Sequence, residues 1–209
     1  MRRFSLRLVL AALPFTAVLA GAPSHAQEPE LMPQPEQPGI EQIVIDGPAE
    51  ETTIDSLLAD LKRERQAHQA QRIANQITAR WNESGSATVD LLMEWAKKAT
   101  EEKRHAAALD FLDQAIVLRP DAVGAWNQRA TLHFIMGNYQ KSVADIEKVL
   151  ELEPRHFGAL AGFAAILADR GAEEASLAAW ERYLEIYPAD RQAQEFVITL
   201  SEKLAGTRT

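Results

Sequence analysis

Residues 125–154 read AWNQRATLHFIMGNYQKSVADIEKVLELEP. Trp126 and Ala130 fall on one helical face ahead of Gly137-Asn138, and Val143, Ile146 and Leu150 fall on one face after it. Spacings of three and four residues predict two amphipathic helices, over about 122–136 and 139–152. Gly137 is free to take the left-handed backbone of a tight turn between them. Pro154, with a fixed φ and no N–H, lies just past the second helix and turns the chain. The stretch reads as a helical hairpin.

The same hairpin recurs on both sides. Pro120, Pro154 and Pro188 lie 34 residues apart, twice in succession. With proline at ~5% of residues, two further hits at a fixed step have a chance of roughly 0.0025. The other columns keep the step. Ala96, Ala130 and Ala164 are identical, and Ala108, Ser142 and Ser176 are all small. Leu92, Trp126 and Leu160 are large and apolar, as are Leu112, Ile146 and Trp180. Leu109, Val143 and Leu177 agree, as do Ile116, Leu150 and Leu184, and Leu118, Leu152 and Ile186. The small columns fall where the two helices of a hairpin cross, allowing close approach in an interior without voids. One hairpin cannot bury its apolar face alone, so at least three must stack into a continuous core.

A 34-residue period with a large apolar residue, a small one four later, a second small one and a terminal proline resembles the tetratricopeptide repeat. The resemblance covers residues 89–190, as repeats 89–122, 123–156 and 157–190. Three positions depart from the pattern: Arg129 stands where Trp95 and Phe163 are apolar, His133 replaces the usual aromatic, and Lys103 replaces the turn glycine found at Gly137 and Gly171. The resemblance implies an all-α, right-handed α-solenoid of stacked helical hairpins that catalyses nothing. It also implies that the first helix of each repeat lines a concave groove for a peptide or a helix. Carried to matching positions, that groove takes Asp90, Met93, Lys97 and Thr100 from the first repeat, and Gly124, Asn127, Thr131 and Phe134 from the second. The third contributes Gly158, Ala161, Ala165 and Ala168. One subclass of the family grips a C-terminal carboxylate with a lysine and an asparagine, followed by basic residues of the third repeat. Lys97 and Asn127 imitate part of that set, but Gly158 and Gly162 stand where basic groups are needed, so a carboxylate clamp is not expected. The third-repeat wall is small and apolar, with room for a partner's bulky side chains.

Both ends of such a stack need a cover. Ala193, Phe196, Val197, Leu200 and Leu204 form one stripe ended by Gly206, which predicts a C-terminal capping helix over residues 191–205. Ahead of the repeats, Leu57, Leu58 and Leu61 form one stripe, and Ala70, Ile73, Ile77 and Trp81 another, around the polar residues 62–66. These predict a degenerate N-terminal hairpin over residues 54–83, within a helical domain of residues 54–205. Projected back by 34, Leu58 and Ala74 fit their columns, whereas Lys62, Thr78 and Ser84 do not.

The first 52 residues read differently. Arg2, Arg3 and Arg7 precede a largely apolar run over residues 8–20, and Ser24-His25-Ala26 places small residues where a signal peptidase cuts. This is the order of a secretory signal peptide, over residues 1–26, with cleavage expected after Ala26. The alternative is an uncleaved N-terminal anchor. Arg2-Arg3 with Phe4 and Leu6 is a partial twin-arginine pattern with its aromatic one place early, so the general export route is expected. Residues 27–52 hold five of the ten prolines among several glutamates and read as a disordered linker. Within it, Ile40, Ile43, Val44 and Ile45 form a small apolar patch. The chain has no cysteine, which excludes a lipid anchor on that residue, disulfides and thiolate chemistry. The expected location is periplasmic, with no stable membrane insertion after cleavage.

Removing residues 1–26 takes away three basic residues and no acidic one, moving the formal charge from −8 to −11. Such a chain repels phosphate backbones, so nucleic acid is not an expected partner. No glycine-rich phosphate loop, nucleophile elbow or histidine–carboxylate motif is present. His68, His105, His133 and His156 never occur at the i, i+4 spacing of paired helical ligands, so neither a metal nor a cofactor is expected. Trp81, Trp95, Trp126 and Trp180 are read as core, three of them sitting in repeat columns. The function expected is a non-catalytic protein–protein interaction scaffold of the bacterial cell envelope. Its alternative is a periplasmic module binding a solute or a peptidoglycan peptide. Nothing in the pattern indicates a homo-oligomer.

Overall fold

The computed structural model describes residues 53–206. The signal segment, the linker and the apolar patch within it lie outside the described residues. Among the described residues the elements are all helices: α1 (Ile54–Arg63), α2 (Ala67–Trp81), α3 (Ala87–Glu101), α4 (His105–Leu118), α5 (Val123–Ile135), α6 (Tyr139–Leu152), α7 (Phe157–Asp169), α8 (Glu173–Ile186) and α9 (Arg191–Gly206). Helices α3/α4, α5/α6 and α7/α8 are three hairpins stacked in sequence order as an all-α, right-handed solenoid, and α9 packs on α8. None of the described helices is long and apolar enough to cross a membrane.

The three hairpin turns close in the same way. Arg104, Asn138 and Ala172 each donate a backbone N–H to the carbonyl of Ala99, His133 and Leu167, at 2.8, 2.8 and 2.9 Å, the bond that seals a helix end on a left-handed residue. That residue is Gly137 at φ 72° and Gly171 at φ 74°, but Lys103 at φ 59° in the first hairpin. The lysine holds the turn at a strain of about 1–3 kcal/mol that glycine does not carry. At the helix crossings Ala96, Ala130 and Ala164 are buried. The Ser142 and Ser176 hydroxyls donate to the carbonyls of Ala130 and Ala164, both at 2.8 Å, so the small polar residues of that column are satisfied inside the core.

The Arg129 departure has a packing reason. Positions sixteen apart face each other within a hairpin, and in the first one Trp95 meets Phe111 at 5.6 Å. In the second, Arg129 makes two bonds to Asp145, at 2.9 and 2.7 Å, in place of that aromatic pair. A third bond, 2.6 Å to Asp113, ties α5 back to α4, and the guanidinium lies 4.7 Å from the Trp126 ring centre. His133 packs beside Asp145, its Nε2 4.0 Å away, and burial pushes its pKa below the ordinary value.

The N-terminal hairpin does not cover the start of the stack, as the sequence pattern suggests; it lies across the second and third hairpins. Trp81 stacks on His156 at 4.1 Å and meets Phe157 at 4.9 Å. Gln128 donates to Asn82 at 3.1 Å, Tyr187 to Gln71 at 3.3 Å, and Arg155 pairs with Asp55 at 2.7 Å. Leu57, Leu58, Leu61 and Ile77 join Leu160, Trp180 and Tyr183 in one buried cluster. A Cβ at Gly124 would stand 2.8 Å from the Trp81 carbonyl oxygen and 3.0 Å from the Asn82 Cα, so this approach needs a glycine. The physical reason for the altered position is pattern: Lys62 and Thr78 break the columns that stacking ahead of α3 requires.

This docking is expected to be pH-sensitive. The His156 Nδ1 accepts the Ala159 N–H at 3.0 Å, capping α7, so the ring must be neutral there. Burial pushes its pKa down to about 4, with the nearby Glu153 opposing. An unfolded histidine titrates near 6.5. Between those values the unfolded chain binds the extra proton, so stability falls as the pH drops from about 6.5 to 4 and is flat with respect to this group outside that window. The loss is expected to be on the order of 3 kcal/mol. Urea unfolding of the wild type and of His156→Asn, whose amide still caps but does not titrate, checks it. The difference between them should slope across this window, and a flat difference would refute the assignment.

Candidate functional site

Helices α3, α5 and α7 carry the residues expected to line the groove, and the structure divides them into two places. Asp90, Met93 and Lys97 of α3 line a recess of about 270 Å³ with Glu94, Asn82 and Gln128. Asp90 is engaged by its own loop, accepting from the Ser84 N–H at 2.8 Å and the Ser84 hydroxyl at 2.6 Å. Met93 is buried among Val89, Leu92, Ala115 and Ala125. The Asn82 amide at the end of α2 forms one wall, so the chain's own N-terminal hairpin narrows this part of the concave face. Lys97 is exposed.

Asn127, Thr131 and Phe134 of α5 come together with Gly158 and Gly162 of α7 in a cleft of about 90 Å³, floored by Ala130, Ser142 and Ile146. Successive turns of one helix place the three α5 side chains in a row, four and three residues apart. The glycines opposite leave the facing wall with no side chain larger than the methyl of Ala159. Thr131 spends its hydroxyl on the Asn127 carbonyl at 2.9 Å, whereas the Asn127 amide group bonds no other described residue. Phe134 is partly exposed and stacks on Tyr139 at 5.6 Å. Beyond Tyr139 the surface opens into a trough of about 650 Å³ lined by Val143, Phe163, Leu167, Lys141 and Arg170. The Tyr139 phenol is held above its ordinary pKa by its hydrogen bond to Asp169. Ala161 packs against the cluster that includes α1 and α2, and Ala165 is half-buried outside the cleft. The arrangement offers apolar contact, one free amide and a flat aromatic pair. These are means of holding a chain rather than of breaking a bond. Among the described residues no three His, Asp or Glu side chains gather as a metal set.

Trp95 corrects the reading of all four tryptophans as core: it is 46% exposed, and among the described residues no hairpin stacks ahead of α3. The docking of α2 through Trp81, Gln128 and His156 was not legible from columns alone; the glycine at 124 was its one trace.

The tetratricopeptide repeat family model matches residues 123–156. A TPR repeat-containing protein of Rhizobium etli is 63% identical over 156 residues, which are 75% of this chain and 76% of that protein. The Protein SGT1 homolog of Bos taurus is 42% identical over 59 residues, 28% of this chain and 18% of that protein. Among solved structures, the first TPR domain of Spaghetti (RPAP3), bound to the HSP90 peptide SRMEEVD, superposes with a TM-score of 0.54 at 20% identity, over 57% of this chain and 95% of that one. The Sgt2 TPR domain from Aspergillus fumigatus gives 0.54 at 18% identity, over 59% and 83%. At these identities the structural likenesses show the fold.

Proposed function

Because the chain belongs to the tetratricopeptide repeat family, we propose that it is a non-catalytic scaffold of the bacterial cell envelope, holding a peptide or helix of another protein in the cleft between α5 and α7. The observation that carries this reading is the row Asn127, Thr131 and Phe134 facing the bare wall of Gly158 and Gly162. A free amide pairs with the bound backbone, and the aromatic takes a bulky apolar side chain. That the Spaghetti domain holds a peptide supports the mode. The glycines, standing where basic groups would be needed, argue for an apolar ligand over an acidic C-terminus. The periplasmic location is supported by the basic start, apolar run and small-residue site of residues 1–26.

Cross-linking in intact cells tests both halves, using a reagent that reaches the periplasm and not the cytoplasm, followed by capture and mass spectrometry. The wild type should capture one defined partner. Asn127→Ala/Phe134→Ala should lose it by roughly tenfold or more while the helix content stays that of the wild type, the cost to the fold being only the Phe134 contact with Tyr139. Equal capture by the variant sinks the cleft, and no cross-linking of the chain at all sinks the location.

A further inference from the structure

The contacts between hairpins define which positions of a first helix receive the hairpin before it. Ala125 packs with Leu92, Ala115 and Ile116 of the first hairpin, and Ala159 with Ala130, Ile146 and Val149 of the second. The matching position in α3, 34 residues before Ala125, is Leu91, and it is 42% exposed. Four residues on, Arg129 reaches back to Asp113 of the preceding hairpin, while its counterpart Trp95 meets Phe111 and is 46% exposed. At the end of α4, Val117 and Leu118 are 78% and 55% exposed, and Val117 stands where the later repeats carry Glu151 and Glu185. Four of the large exposed apolar residues thus belong to the first hairpin. The element before it in the chain, α1/α2, is committed to the second and third hairpins. The inter-repeat surface of α3 continues the established stacking interface with no described element on it.

The opposite end of the stack is closed. Trp180 and Tyr183, the counterparts of Ile146 and Val149, are buried, and Phe196 of α9 lies 4.8 Å from Trp180. Among the described residues a second copy therefore has no uncapped repeat to offer head-to-tail: α9 stands at that end, its Phe196 and Ile198 40% and 56% exposed. The uncovered stacking surface that a copy does present is this same one. We propose that the chain forms a two-fold dimer in which α3 of one copy packs on α3 of the other through Leu91 and Trp95. Using one face twice closes the assembly at two copies, so no filament grows from it. A tryptophan at the centre with aliphatic neighbours has the makeup of an interface anchor.

Light scattering of the full chain over a concentration series tests the pair. The wild type should be dimeric, and Trp95→Glu or Leu91→Glu should weaken the dimer by about 30-fold or more. Circular dichroism of the dilute protein should show the helix content kept in both variants. Leu91→Glu, which breaks no ring contact, is the control in which melting also should not change, since Trp95→Glu gives up the Phe111 contact. The chain is cysteine-free, so Leu91→Cys provides a second readout: mild oxidation should link two copies through the one new thiol. A wild type that stays monomeric at every concentration overturns the proposal and gives the face to a different protein. A dimer untouched by Trp95→Glu overturns the assignment to α3.

Discussion

Trp81→Ala is expected to lower the unfolding free energy by about 3–5 kcal/mol, the range for deleting a large aromatic from a filled core. The residue lies outside the repeats, yet its ring is 6% exposed and sits against His156 and Phe157 at 4.1 and 4.9 Å. Its indole Nε1 is buried without a hydrogen-bond partner, so the contribution is packing and stacking alone. Removing it leaves a void where α2 meets α5 and α7, and the Gly124 backbone contact loses its fixed partner. Urea unfolding followed by circular dichroism gives the loss. Protection of the α1 and α2 amides against hydrogen exchange should fall at the same time. A loss under about 1 kcal/mol would mean that the hairpin is not held through this ring.

Arg129→Ala is the other large effect, expected at about 3–5 kcal/mol. The Asp145 side chain is only 7% exposed, and Arg129 supplies both of the hydrogen bonds that its carboxylate receives there. Without the guanidinium a buried negative charge is left with His133 at 4.0 Å as its nearest cation-forming neighbour, and burial keeps that ring from protonating readily. Replacing both members, as Arg129→Met/Asp145→Leu, removes the stranded charge and is expected to recover most of the stability, since apolar groups of similar size fill buried ion-pair sites well. The first and third hairpins already fill the equivalent positions without charge, as Trp95–Phe111 and Phe163–Ala179. A double-mutant cycle measures the coupling. If the double variant is as unstable as Arg129→Ala, the pair is not the reason for the loss.

Much of the architecture was legible because a repeat states the same rule several times. Ala96, Ala130 and Ala164 mark the helix crossing three times over, and Pro120, Pro154 and Pro188 mark the hairpin ends. A single column could arise by composition; eight in register could not. The candidate site was legible in part. Asn127, Thr131 and Phe134 do share one cleft, since a helix places residues three and four apart on one face whatever surrounds it. Asp90 and Met93 share the face in periodicity, but one is held by Ser84 and the other is buried in the first core.

Residue spacing by itself determined that this chain is a stack of helical hairpins, where each hairpin begins, bends and ends, and which side chains are small at the crossings. These are local quantities, set by periodicity and by the φ preferences of glycine and proline within a few residues. Only the tertiary structure decided where the N-terminal hairpin lies, which half of the concave face stays open, and that α3 presents an apolar surface. Each of these depends on a contact between positions far apart in the chain, such as Trp81 with His156 or Gln128 with Asn82. Such a contact leaves no period in the sequence. Its free energy comes from burying two unrelated surfaces together, and the pattern of either surface alone does not name the other.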